Sequence, residues 1–233
     1  MKKVGIIGGI GPASTLDYYS GIIDGYRAIV NDGSYPEIII DSVNMTEMLS
    51  YIEREDWNSL TEMLVGAINN LKAARAQLVA IASNTPHIVF DKIEKRSPLP
   101  LISIVDETIA YAQAKKIKKA VIIGTRFTMR SGLYAKAFSK LNIATVTPSE
   151  DEQEQIHGII FPKLEDGIVD FDDKNKLLAL ANWLISEHNA DALVLGCTEL
   201  PLMIKKNDID TLLLNTTQIH IDAIVDVIME KQI

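Results

Sequence analysis

The chain has 233 residues, 47% of them hydrophobic, which is ample for one large domain or two small ones with packed cores. Its 23 basic residues against 31 acidic give a formal net charge of −8, and no Lys/Arg block stands out, so nucleic acid is not an expected partner. Its single cysteine cannot form an internal disulfide, no stretch approaches the roughly 18 apolar residues of a membrane span, and glycines and a proline cut the opening apolar run short of a signal peptide; a soluble cytoplasmic protein is expected.

In chain order, a Val/Ile-rich strand at 3–8 leads into a helix-period segment at 13–30 and a strand at 37–43. A helix at 57–75 follows, then strands at 77–82 and 100–104, a helix at 105–116 and a strand at 119–124. Helices at 131–141, 150–165, 173–188 and 216–231 alternate with strands at 143–147, 191–196 and 211–214. Apolar strands separated by amphipathic helices predict βαβ units and parallel sheets flanked by helices, an α/β fold.

The pattern also repeats. Ala192-Leu193-Val194-Leu195-Gly196-Cys197 falls on Leu78-Val79-Ala80-Ile81-Ala82-Ser83 at a constant offset, and Val4-Gly5-Ile6-Ile7-Gly8 falls likewise on Ala120-Val121-Ile122-Ile123-Gly124. Two pseudo-symmetric α/β lobes are therefore expected, an N-lobe of 1–102 plus about 215–233 and a C-lobe of 103–214. Ligands of parallel sheets gather outside the carboxyl ends of the strands, which for two lobes directs attention to the cleft between them. One repeat delivers a thiol there and the other a hydroxyl.

Cys197 precedes Thr198 and Glu199, which could open a helix whose unpaired N–H groups would favour a thiolate near neutral pH. Ser83-Asn84-Thr85-Pro86-His87 is the mirrored element, whose polar side chains and backbone N–H groups could hold a carboxylate or simply cap a helix. Gly8-Gly9-Ile10-Gly11-Pro12 lacks the dinucleotide spacing but still makes an anion-binding helix start. Gly124-Thr125-Arg126-Phe127-Thr128 is its counterpart, opening a helix through Ser131 and Tyr134, with Thr125 and Thr128 able to meet ligand oxygens. The four histidines (87, 157, 188 and 220) lack metal-ligand spacing.

Gly196-Cys197-Thr198-Glu199, the Ser83–His87 run, the opening Gly8–Pro12 and Gly124-Thr125 with Thr128, Ser131, Gly132 and Tyr134 together resemble the aspartate/glutamate racemase family along the whole chain. The resemblance implies two Rossmann-like lobes, a homodimer, an acidic amino acid as substrate, and neither pyridoxal phosphate nor metal. It also implies two thiols on opposite faces of the substrate α-carbon, one removing a proton and the other returning one. On that basis Cys197 and Ser83 are the catalytic candidates. Gly9, Ile10, Gly11, Asn84, Thr85, Thr125, Thr128, Lys163, Thr198 and Glu199 are the substrate-binding candidates.

Two departures qualify the match. Ser83 stands where the family has cysteine, and a serine hydroxyl is a poor base without help; a racemase one-sided for the L-enantiomer, an inactivated variant, an amino-acid-binding protein and a single-cysteine malonate-type decarboxylase are all consistent with that change. Met48 stands where some aspartate racemases carry an arginine for the side-chain carboxylate, with Arg54 able to compensate only if its helix turns inward.

Overall fold

The structure, a computed structural model, describes residues 1–229, so the last residues of the helix expected at 216–231 lie outside the described residues. The chain forms two compact units, Met1–Ile104 with the segment from His220, and Val105–Ile219.

In the first unit, β1 (Val4–Gly8), α1 (Pro12–Ile29), β2 (Ile38–Ser42), α2 (Met45–Glu53), α3 (Trp57–Ala73), β3 (Leu78–Ile81), a 3-10 turn (Thr85–Val89), α4 (Phe90–Glu94) and β4 (Leu101–Ile102) follow one another. The sheet is parallel, in the order β2-β1-β3-β4. Every residue of β1 and β3 is buried. Covering such strands on both faces is what makes them read as unbroken apolar runs rather than alternating ones.

The second unit runs through α5 (Ile104–Ala114), β5 (Lys119–Gly124), α6 (Arg126–Arg130), α7 (Leu133–Ser139), β6 (Ala144–Val146), α8 (Glu150–Ile159), α9 (Phe171–His188), β7 (Ala192–Gly196), α10 (Leu200–Met203) and β8 (Leu212–Asn215). Its sheet is parallel, in the order β6-β5-β7-β8, the same order one repeat later. The register repeats as well. Val4 pairs Leu78 and Ile7 pairs Ile81 in the first sheet, while Ala120 pairs Ala192 and Ile123 pairs Leu195 in the second. These are the same residues that the sequence repeat aligns.

The final helix, α11 (Thr216–Ile228), starts in the second unit and adds Ile221, Ile224, Val225 and Ile228 to the hydrophobic core of the first, where His220 is also buried. Gly21 and Gly25 on α1 make room for it. A Cβ at Gly21 would come within 2.8 Å of Ile221 and one at Gly25 within 3.1 Å of Val225, so the pair of glycines sets how closely α11 packs on α1.

Several boundaries differ from expectation for local reasons. α2 is an additional helix, started by Asn44, whose side chain accepts the Glu47 N–H at 3.2 Å. The helix expected through Ser131 and Tyr134 is two helices, broken where Gly132 adopts a left-handed φ of 68°. The helix expected over 150–165 ends as α8 at Ile159 and continues as a wider turn over Ile160–Leu164, where Phe161 has strand-like backbone angles ahead of Pro162. α9 starts two residues early because the Asp170 carboxylate accepts the N–H groups of Asp172 and Asp173.

Candidate functional site

In a parallel sheet of order 2-1-3-4, the strand order reverses between the first and third strands, and ligands of such folds bind at that switch point. In the first unit the segments leaving it are Gly9–Gly11 after β1 and Ser83–Thr85 after β3. In the second unit they are Thr125–Thr128 after β5 and Cys197–Glu199 after β7. In each unit, therefore, the predicted residues come together at the carboxyl edge of its two central strands. Lys163 lies apart.

In the first unit the turn after β1 is held by Thr15, which sequence reading overlooked. Its hydroxyl accepts the Gly9 N–H at 2.9 Å and donates to the Gly11 carbonyl at 3.1 Å. The Gly9 N–H is thereby engaged within the turn. Gly9 and Gly11 have φ of 78° and 89°, and a Cβ on Gly9 would meet the Val43 carbonyl at 2.4 Å, so this turn requires glycine. Ile10 is buried. Ser14, fully buried, ties α1 to the end of β3 by donating to the Ala82 carbonyl at 3.0 Å.

Ser83 and Asn84 are buried and Thr85 half-buried. Behind them lies a pair of neutral histidines. His87 stacks on Phe90 and accepts the Ile104 N–H at Nε2, 3.3 Å away. His220, edge-on to His87, points Nε2 at the Ile102 carbonyl (3.0 Å), so that nitrogen carries the proton and Nδ1 accepts from the Tyr18 hydroxyl at 2.7 Å. Burial pushes His87 down to about 4 and His220 down to about 3, the latter helped by His87. His87 thus braces the Ser83 turn, as expected of a packing rather than a catalytic residue.

In the second unit Thr125 caps α6, accepting the Thr128 N–H at 3.2 Å, and the two hydroxyls lie 3.0 Å apart. Gly124 and Gly196 face each other across β5 and β7; a Cβ on Gly124 would come within 2.8 Å of the Gly196 carbonyl oxygen. Arg126 is structural: it pairs with Glu154, which Arg130 also holds. Tyr134 is fully buried and its hydroxyl is pushed up by that burial, against hydrogen bonds to Thr108 and Thr216.

Cys197 is 4% exposed. Its thiol donates to Glu199 Oε2 at 3.0 Å, and the Thr198 hydroxyl donates to the same oxygen at 2.9 Å. Glu165, which sequence reading also missed, completes the group; its carboxylate, the thiol and the Glu199 carboxylate offer ligand atoms within 4.8 Å of one another. The three could share a metal ion, but a shared proton accounts for the same closeness. Desolvation first, then the Glu199 and Glu165 charges, push the Cys197 thiol well above its ordinary value. This corrects the expectation of a thiol made acidic by a helix start. α10 is a single turn of four residues, too short for a substantial dipole, and two carboxylates outweigh it.

Lys163 is about half exposed and held by Asp170 at 2.9 Å and Asp173 at 3.5 Å. Arg54 is exposed, its guanidinium over the Tyr51 ring, and Met48 is buried in α2. The conditional role given to Arg54 is therefore not met. No helix among the described residues is long and apolar enough to cross a membrane.

By structure, the chain is similar to an aspartate racemase homologue from Pyrococcus horikoshii OT3, with TM-score 0.87 and 33% identity over 98% of this chain and 100% of that one. It shares its fold with Picrophilus torridus aspartate racemase, with TM-score 0.78 and 23% identity over 98% and 95% of the two chains. By sequence, it is 28% identical over 204 residues to the broad specificity amino-acid racemase RacX of Bacillus subtilis (strain 168), covering 84% of this chain and 85% of that protein. Two parallel four-stranded sheets of matching order, together with these likenesses, define an amino-acid racemase. More particularly, residues 7–224 match the family model Asp/Glu/Hydantoin racemase, and the chain belongs to that family.

Proposed function

We propose that the protein racemises an acidic amino acid by direct proton transfer at the α-carbon, with Cys197 as the competent acid/base and Ser83 in the place of the second. The observation that carries this reading is the position of the two residues in sheets of matched register: Ser83 lies two residues after Ile81, which pairs with Ile7, and Cys197 two residues after Leu195, which pairs with Ile123. The aspartate racemase homologue at 33% identity supports the substrate class. Asn84, Thr85, Thr125, Thr128 and Thr198, with the Ile10–Gly11 turn, are the groups proposed to hold the substrate carboxylates. Lys163 would have to leave Asp170 and Asp173 to take part.

A hydroxyl holds its proton far more tightly than a thiol, so the reaction is expected to favour the enantiomer whose α-proton faces Cys197, by family resemblance the L-form. The test is α-proton exchange from L- and D-aspartate and L- and D-glutamate, each incubated separately in deuterated water, with chiral analysis of products. Exchange confined to the L-forms, lost in Cys197→Ala and extended to the D-forms in Ser83→Cys, is the expected result. Full exchange by Cys197→Ala overturns the assignment.

A further inference from the structure

The hydroxyls of α1 differ in where they donate. Thr15 and Ser20 bond back along their own helix, to the carbonyls of Gly11 (3.1 Å) and Leu16 (3.0 Å), as helical threonines and serines ordinarily do. Ser14, on the first turn and fully buried, leaves the helix instead and donates to the Ala82 carbonyl at 3.0 Å. Pairing of β3 with its neighbours ends at Ile81. The Ala82 carbonyl therefore lies past the ladder, and the Ser14 hydroxyl stands in for a strand partner.

That carbonyl belongs to the peptide bond that carries Ser83. A peptide unit is planar, so holding its oxygen also orients the Ser83 nitrogen and α-carbon. On the strand side, the Ala82 N–H donates to the Ile7 carbonyl at 3.0 Å. One residue past Ser83, the Asn84 carbonyl accepts the His87 N–H at 3.1 Å. Ser83 thus sits between two anchored carbonyls, one of them held by a side chain from another element. The second unit is built differently at this point. At the spacing that carries Gly8 onto Gly124, Ser14 corresponds to Arg130, whose guanidinium turns to Gln153 at 3.2 Å and Glu154 at 3.0 Å. The Ser14 contact is accordingly a property of the residue-83 loop and not a requirement of the repeated fold.

We propose that Ser14 is a positioning residue for position 83, fixing through the Ala82 carbonyl where that side chain stands relative to the substrate α-carbon. The inference rests on the racemase reading above, in which position 83 serves the D-form and Cys197 the L-form. Misplacing a reacting group by about 1 Å can cost about 100-fold in rate, so a partly released loop is enough to weaken one face of the reaction.

Ser83→Cys makes that face measurable, because exchange from the D-forms can be read against exchange from the L-forms in the same molecule. Adding Ser14→Ala should lower α-proton exchange from D-aspartate and D-glutamate in deuterated water, relative to the L-forms, by about tenfold. A side chain that merely supports the fold lowers both rates together and leaves their ratio unchanged. Ser14→Cys, close in size to serine but with only a weak S–H donor, should move the ratio in the same direction and decides the matter if Ser14→Ala does not fold. A ratio that moves by less than threefold overturns the proposal. If Ser83→Cys adds no exchange from the D-forms, the racemase reading fails at position 83, and the Ser14 link is then read without catalysis. The measurement is alkylation by iodoacetamide of the thiol introduced by Ser83→Cys in a Cys197→Ala background, where no other cysteine is present. Ser14→Ala should change that rate at least threefold, and a smaller change overturns the proposal.

Discussion

The buried pair His87 and His220 makes the first unit acid-sensitive by an amount that follows from the structure. Both are depressed below the ordinary histidine value near 6.5, His87 to about 4 and His220 to about 3. A depressed folded value means that their contribution to stability is complete above about pH 6.5 and drains away as pH falls toward the folded values, because the unfolded chain takes up protons that the folded unit refuses. At pH 5 both remain largely neutral when folded, so the loss is set by the distance from 6.5 rather than by either folded value. That distance is about 1.5 units, or about 2 kcal/mol per histidine and about 4 kcal/mol for the pair, at roughly 1.4 kcal/mol per unit. Set against a total stability of about 5–15 kcal/mol, this is a large share. The two tryptophans allow it to be measured unit by unit: Trp57 lies in the first and Trp183, half exposed, in the second. A Trp183→Phe background leaves Trp57 fluorescence to follow urea unfolding of the first unit at pH 7.5 and pH 5. Adding His220→Gln, whose amide can still donate to the Ile102 carbonyl and accept from Tyr18, removes one titrating ring and should shrink the acid loss by about 2 kcal/mol. Carboxylates contribute equally to both proteins and cancel in the difference. An equal acid loss with and without His220 would refute the assignment of a neutral buried pair.

The core of the first unit depends on residues distant in sequence, so Ile224→Ala, at a fully buried position of α11, should cost about 2–5 kcal/mol in the Trp57 transition. In the second unit, Gly124→Ala forces a methyl against the Gly196 backbone, and the Trp183 transition should weaken by about 1–3 kcal/mol while the Trp57 transition holds.

The sheets were legible because they are buried on both faces, which writes each central strand as an apolar run ending in glycine or a small polar residue. The placement of Ser83 and Cys197 after corresponding strands was legible in the same pattern, because each apolar run stops just before them. What escaped depended on contacts that no local pattern records. Glu165 is separated from Cys197 by the whole of α9 and β7, and only folding reveals it beside the thiol. Thr15 reads as an ordinary helical residue until its hydroxyl is found closing the Gly9 turn. The acidity of Cys197 was misjudged because sequence shows a helix start but neither its brevity nor the burial of the carboxylates around it. α2 was overlooked because it is a short run of 9 residues, and its Asn44 cap is equally at home in a loop.

The conserved register of the two sheets bears on how such an enzyme can change over time. A doubled scaffold stores two copies of the same strand-end position, so substitution in one copy leaves the other, and the fold that presents it, intact. Ser83 differs from the cysteine at the equivalent place by one atom, oxygen for sulfur. Under the mechanism proposed above, one-way and two-way chemistry are a single substitution apart at Ser83.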